Sequence, residues 1–197
     1  GIAHEIAGEL TDRFIERLPF PLTGAQQRAI GEIGADLELT RPMHRLLQGD
    51  VGSGKTLVAV HALLTAVQGG YQGALMAPTE VLAEQHHAGV TVMLGDLSVP
   101  DPSTLMGERP LRVELLTNRV AAGDRRKILA DLVTGKVDII IGTHALIQEK
   151  VEYAALGVVV IDEQHRFGVE QRAALREKGD AVTAPDVLVM TATPIPR

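Results

Sequence analysis

At 197 residues the chain is the size of one domain or slightly more, and its 45% apolar composition can fill a substantial core. Aromatic residues are only 3% and Trp is absent, so that core must be aliphatic; Cys is absent too, which excludes disulfides and thiolate metal sites. A net charge of −6 argues against a broad basic face, so this chain alone should bind DNA weakly, through backbone N–H groups and local cations.

No stretch approaches the roughly 18 apolar residues of a membrane span, and no signal peptide is visible, so the expected location is cytoplasmic. Residues 3–18 place Ile6, Leu10, Phe14 and Leu18 at a four-residue rhythm, which predicts a helix ended by Pro19 and Pro21. The chain opens inside this pattern and stops at Pro194-Ile195-Pro196-Arg197, as a fragment excised from a longer protein would. Thr23 is the expected cap of a second helix with Ile30, Ile33 and Leu37 on one face. Gln26 in its first turn is either a surface glutamine or an amide able to meet both hydrogen-bonding edges of an adenine.

Gly49-Asp50-Val51-Gly52-Ser53-Gly54-Lys55-Thr56 reads G-x-x-x-x-G-K-[ST], the pattern of a phosphate-binding loop. It follows the apolar stretch Leu46-Leu47-Gln48 and precedes a helical run from Leu57, the strand–loop–helix context that the motif needs. The glycines let backbone N–H groups turn toward a phosphate chain, and the helix adds the positive end of its dipole. Lys55 would reach the β- and γ-phosphates, and the Thr56 hydroxyl would ligate Mg²⁺.

Residues 73–77 predict the next strand, ending in Pro78-Thr79-Glu80 before a helix over 81–86. Free N–H groups at that helix start could hold a DNA phosphate without reading sequence; an ordinary capped helix is the alternative. His86-His87 have no zinc-site spacing to other ligands, so they are surface residues or phosphate contacts. Gly95 to Pro110, with three prolines and two glycines, predicts a surface loop with no structure of its own. A strand over 111–116 follows, then Thr117-Asn118, then a helix capped by Asp124 with Ile128, Leu129, Leu132 and Val133 inward. Its Arg125-Arg126-Lys127 run is either a solvated face or a phosphate-contacting patch. Three aliphatic strands close the chain: 137–142 delivers Thr143-His144, 157–161 delivers Asp162-Glu163-Gln164-His165, and 187–190 delivers Thr191-Ala192-Thr193. Continuous aliphatic strands alternating with helices predict an α/β fold with a mostly parallel central sheet flanked by helices. Ligands of such sheets bind beyond the carboxyl ends of the strands.

The acid pair narrows the chemistry. Asp162 at a strand end can hold Mg²⁺ opposite Thr56, and Glu163 can orient and deprotonate an attacking water. This division of labour predicts ATP hydrolysis rather than transfer to a small acceptor.

Gln26, Gly49–Thr56, Ala77–Glu80, Thr143-His144, Asp162–His165 and Thr191–Thr193 fall in the order of the superfamily-two helicase motifs, at the spacing of the first of two RecA-like motor domains. The stretches 18–26, 160–172 and 191–197 resemble the RecG family of DNA branch-migration translocases. The related transcription-repair coupling translocases usually carry Asp-Glu-Glu where this chain has Asp162-Glu163-Gln164. The resemblance implies a RecA-like P-loop NTPase domain over 23–197, led into by an N-terminal helix and linker over 1–22, with a wedge domain and a second motor domain outside this chain. It implies ATP and Mg as cofactors, and Lys55, Asp162, Glu163, Gln164 and His165 as catalytic residues. It also implies Pro78, Thr79, Glu80, Thr143 and His144 as DNA contacts, with Thr191, Ala192 and Thr193 coupling the two motor domains. The implied work is ATP-driven branch migration and regression of stalled forks and Holliday junctions. A monomer acting on branched duplex DNA, with single-strand DNA-binding protein as a further partner, is the implied setting. A coupling-translocase motor and a nucleotide-sensing module without turnover are the alternatives. Thr117-Asn118, where the family more often has Thr-Gly, and the long Gly95–Pro110 segment depart from the pattern.

Overall fold

The computed structural model describes residues 1–49, 54–148, 150–163 and 184–192. Its centre is a six-stranded sheet of order β1-β8-β7-β2-β6-β5, parallel throughout. The strands are β1 (His44–Gln48), β2 (Gln72–Met76), β5 (Val113–Leu116), β6 (Ile139–Gly142), β7 (Leu156–Glu163) and β8 (Asp186–Thr191). β2, β6 and the first six residues of β7 are buried throughout, as strands covered on both faces must be. From β2 the chain crosses to the edge strand β5, then steps back through β6, β7 and β8 to fill the space beside β1. That reversal gathers the carboxyl ends of β1, β8, β7 and β2 along one rim.

Helix α3 (Lys55–Gln68) is apolar nearly all round and buried from Val58 to Val67, as a central helix should be. It packs against α1 (Glu9–Glu16) and α2 (Gly24–Leu37) on one side and the sheet on the other. Thr23 caps α2 as expected. Its hydroxyl accepts from Gln26 N–H (3.1 Å) while the Gln26 side chain accepts from Thr23 N–H (2.9 Å), a reciprocal capping box. Ile33 and Leu37 are buried, with Ile30 partly buried beside them.

Three local expectations are corrected. The first helix begins at Glu9, not residue 3. Residues 1–8 run extended, with Ile2 and His4 buried in alternation, and His4 N–H donates to Leu37 O (2.7 Å). This tertiary anchoring overrides the helical rhythm and leaves Ile6 at the surface. The Gly95–Pro110 segment is not structureless: β3 (Ser98–Pro100) and β4 (Glu108–Pro110) form an antiparallel hairpin. Leu97 and Val99 are buried beneath it, and the Arg109 guanidinium grips Asp138 with two bonds of 2.7 and 2.9 Å, a charge-assisted fork that holds the hairpin's base. The helix α5 (Ala122–Val133) has Ala121 at its cap, with Asp124 inside the first turn; Ile128 and Leu132 are buried but Val133 is exposed.

Helix α4 (Glu80–Leu94) lies against β6 and β5, and a short 3₁₀ turn (His144–Ile147) follows β6. Tyr153 braces that turn by donating to Leu146 O (2.8 Å), and burial pushes its phenol well above the usual range. Among the described residues no helix is long and apolar enough to cross a membrane.

Candidate functional site

The phosphate-loop sequence joins the end of β1 to the start of α3. Asp50, Val51, Gly52 and Ser53 lie outside the described residues; Gly49, Gly54, Lys55 and Thr56 frame them. Gly54 is the cap residue of α3 at φ +81°, in the left-handed region, and among the described residues no side chain caps its first turn. The leading N–H groups of α3 therefore have no side-chain acceptor among the described residues, and a helix start of this kind favours an anion. Gln26 lies against this point: a Cβ added to Gly54 would come within 2.1 Å of its Nε2. The capping box thus does two things. It anchors the Oε1 of Gln26 on the Thr23 backbone and aims the amide nitrogen at the loop.

Thr191, at the end of β8, is the meeting point of the rim. Its carbonyl accepts from Lys55 Nζ (2.8 Å) and from Gly49 N–H (3.2 Å). Strand register sets it between Gln48 of β1 and Glu163 of β7. Lys55 and the acid pair consequently flank one strand end, although 107 and more residues separate them in the chain. The Thr191 hydroxyl is buried and has no hydrogen-bond partner among the described residues, an orphaned polar atom inside this cluster. Asp162 and Glu163 are the last two residues of β7, and both are partly buried. Ala192 follows exposed; Gln164, His165 and Thr193 lie outside the described residues.

Asp162 has a partner that the chain order did not indicate. His86 Nε2, on α4, stands 2.7 Å from Asp162 Oδ2. His86 is therefore not a free surface residue. Its side chain is 16% exposed and that of Asp162 20%. His87, the next residue, faces elsewhere and lines a depression with Arg112, Glu114, Asp124 and Lys127.

The expected DNA contacts come from neighbouring strand ends on the same rim. Pro78 and Thr79 are exposed beyond β2, and the Thr79 hydroxyl caps α4 by accepting from Leu82 N–H (3.2 Å). Glu80 is engaged: its carboxylate accepts from Asn118 N–H (3.0 Å) and lies 3.5 Å from Arg119 Nε. Thr143 is buried and caps the 3₁₀ turn, whereas His144 is exposed beside it. Sequence reasoning missed Arg119, which also reaches Glu84 (3.2 Å) and puts a half-exposed cation between the ends of β2 and β5. Arg125 donates to Thr117 O (3.4 Å), which turns one member of the basic run toward that strand end. Among the described residues no group of three or more His, Asp or Glu is placed to chelate a metal.

Comparison with known proteins places this geometry in context. The family model for DEAD/DEAH box helicases matches residues 23–197. The ATP-dependent DNA helicase RecG of Synechocystis sp. is 56% identical over 190 residues, 96% of this chain and 21% of that protein. The RecG helicase of Bacillus subtilis is 52% identical over 197 residues, 100% of this chain and 27% of its own. The chain thus spans about a quarter of the length of the curated relatives it matches. A solved structure of RecG bound to a three-way DNA junction superposes with a TM-score of 0.81 at 43% identity, covering 100% of this chain and 24% of that one. The chain belongs to the DEAD/DEAH box helicase family, has its RecA-like fold, and within that family resembles the RecG helicases.

Proposed function

We propose that this chain is the ATP-binding motor domain of a RecG-type DNA translocase, residues 23–197 forming the motor and 1–22 leading into it. The observation that carries the reading is the convergence on Thr191: the phosphate-loop lysine and Gly49 both bond its carbonyl, and the Asp162-Glu163 strand end lies beside it. The match of this whole chain to about a quarter of the length of the RecG helicases supports the same reading.

In this proposal the α3 N-terminus and Lys55 hold the phosphate chain of ATP, and Gln26 reads the adenine. The donor set fits Mg²⁺, a hard cation that takes a hydroxyl, one carboxylate and phosphate oxygens rather than an all-protein cage. Thr56 and Asp162 would hold it, and when bound it supplies charge neutralisation for the leaving phosphate. Glu163 orients and deprotonates the attacking water. Gln164 and His165 relay the γ-phosphate state to Thr191, Ala192 and Thr193, and through them to a second motor domain. Pro78, Thr79 and His144 meet the DNA backbone, with Thr143 holding the turn that presents His144 and Glu80 positioning Asn118 and Arg119 beside them. The intact protein then works as a monomer in the cytoplasm, driving branch migration and regression of forks and Holliday junctions, with single-strand DNA-binding protein as a further partner.

The test is ATP hydrolysis by the intact protein with forked, linear duplex and single-stranded DNA. Branched DNA should stimulate most. Lys55→Ala should lose nucleotide affinity together with turnover. Glu163→Gln should keep affinity and lose roughly a hundredfold or more in rate. Retained turnover in both variants would remove the role assignments.

A further inference from the structure

We infer that His86 is a positioning residue for the metal-binding carboxylate, linking it to the helix that carries the DNA-contact candidates; this rests on the function proposed above.

A carboxylate only accepts, so the 2.7 Å contact requires that His86 present an Nε2–H to Asp162 Oδ2. Asp162 lies at the partly buried end of β7, where a lone carboxyl could rotate. Bonding one oxygen to a ring held at 16% exposure fixes the plane of the group and leaves Oδ1 as the oxygen available to a cation. Carboxylates that ligate a metal are themselves held by outer-shell hydrogen bonds, and loss of such a partner typically weakens metal affinity or activity by 10–100-fold, so about tenfold is expected here.

The location of His86 gives the contact a second consequence. It lies on α4, whose first residues Glu80 and capping Thr79 sit at the rim beside Asn118 and Arg119. β2 and β7 are adjacent strands, so α4 leaves the end of β2 and reaches across to the end of β7 with one side chain. A rigid-body displacement of α4 on engaging a DNA strand therefore moves the partner of Asp162 directly. Among the described residues no other side-chain hydrogen bond or ion pair joins Asp162 to the elements bearing the DNA-contact candidates.

The experiment uses the intact protein and a fluorescent ADP. Its affinity is measured in Mg²⁺ titrations and in EDTA, and ATP hydrolysis is measured with and without forked DNA. His86→Ala and the bulkier His86→Leu remove the donor; His86→Gln keeps one. The expected result is a roughly tenfold rise in the Mg²⁺ concentration giving half-maximal affinity for His86→Ala or His86→Leu. Affinity in EDTA should stay unchanged, the DNA stimulation ratio should fall, and His86→Gln should recover part of both. Either donor-lacking variant suffices if the other does not fold. Unchanged Mg²⁺ dependence, or an equal loss with and without Mg²⁺, overturns the inference while leaving the proposed function standing. A wild-type protein without Mg²⁺-dependent nucleotide affinity overturns the proposed function, and this inference with it.

Discussion

Gly54 shows how much a single position constrains the site. Its φ of +81° is left-handed backbone, and a Cβ there would strike the Gln26 amide. Left-handed backbone costs an L-residue about 1–2 kcal/mol, and the collision forces Gln26 out of its capping geometry as well. Gly54→Ala should therefore lower stability by about 1 kcal/mol or more in urea denaturation, and weaken adenine nucleotides more than inorganic triphosphate in competition binding. Equal weakening of both would separate Gln26 from the base. The glycine was visible in the motif; its contact with a residue 28 positions earlier was not, because that contact depends on how α2 packs against α3.

At the level of elements, the seam between α1 and α3 contains a buried titratable group. His61 lies inside α3 with its ring 6.4 Å from that of Phe14, and burial pushes its imidazole below the ordinary value of about 6.5, with Asp12 pulling weakly the other way. The folded state thus takes up a proton less readily than the unfolded one. Its contribution to stability is complete above pH ~6.5 and is lost as pH falls from there through the lowered folded value. Urea midpoints should decline between pH 7.5 and 5.5, and His61→Leu should flatten that decline; an unchanged slope would assign it to other groups. The same seam explains why the N-terminal helix is short. Thr11 and Gln68 bond across it (3.1 Å), and Gln68 Nε2 bonds Glu5 O (2.8 Å), which holds residues 1–8 extended.

For the whole molecule, the sheet gathers the nucleotide-binding candidates along one rim and puts a separate buried contact at its other end. There His4 Nε2 comes within 3.1 Å of Asp186 Oδ2, without hydrogen-bond alignment, while Asp186 Oδ1 accepts from Met43 N–H (2.5 Å). β8 is therefore held at both ends, by the N-terminal segment below and by Lys55 and Gly49 above. In the proposed function this rim holds one side of a phosphate chain and forms half of a motor's active site. The isolated 197-residue chain should bind ADP or ATP measurably yet show little DNA-stimulated turnover. Joining it to a second motor domain with an arginine finger should raise the rate by about a thousandfold or more. Robust DNA-stimulated hydrolysis by the isolated chain would contradict this.

The sequence by itself determined the fold class and the positions from which a nucleotide site could be built. Aliphatic runs separated by helical periods can bury both faces only as a parallel sheet, and Gly49–Thr56 and Asp162-Glu163 stand where such a sheet exposes its strand ends. Tertiary structure decided which of those ends meet. Strand order is a long-range property, so the insertion of β8 between β1 and β7, and with it the bonding of Lys55 to Thr191, was not written in any local pattern. The same holds for the β3–β4 hairpin, which depends on Asp138 gripping Arg109 from 29 residues away. It holds for His86 too: on a helix it reads as one more polar surface residue until the sheet brings Asp162 to it.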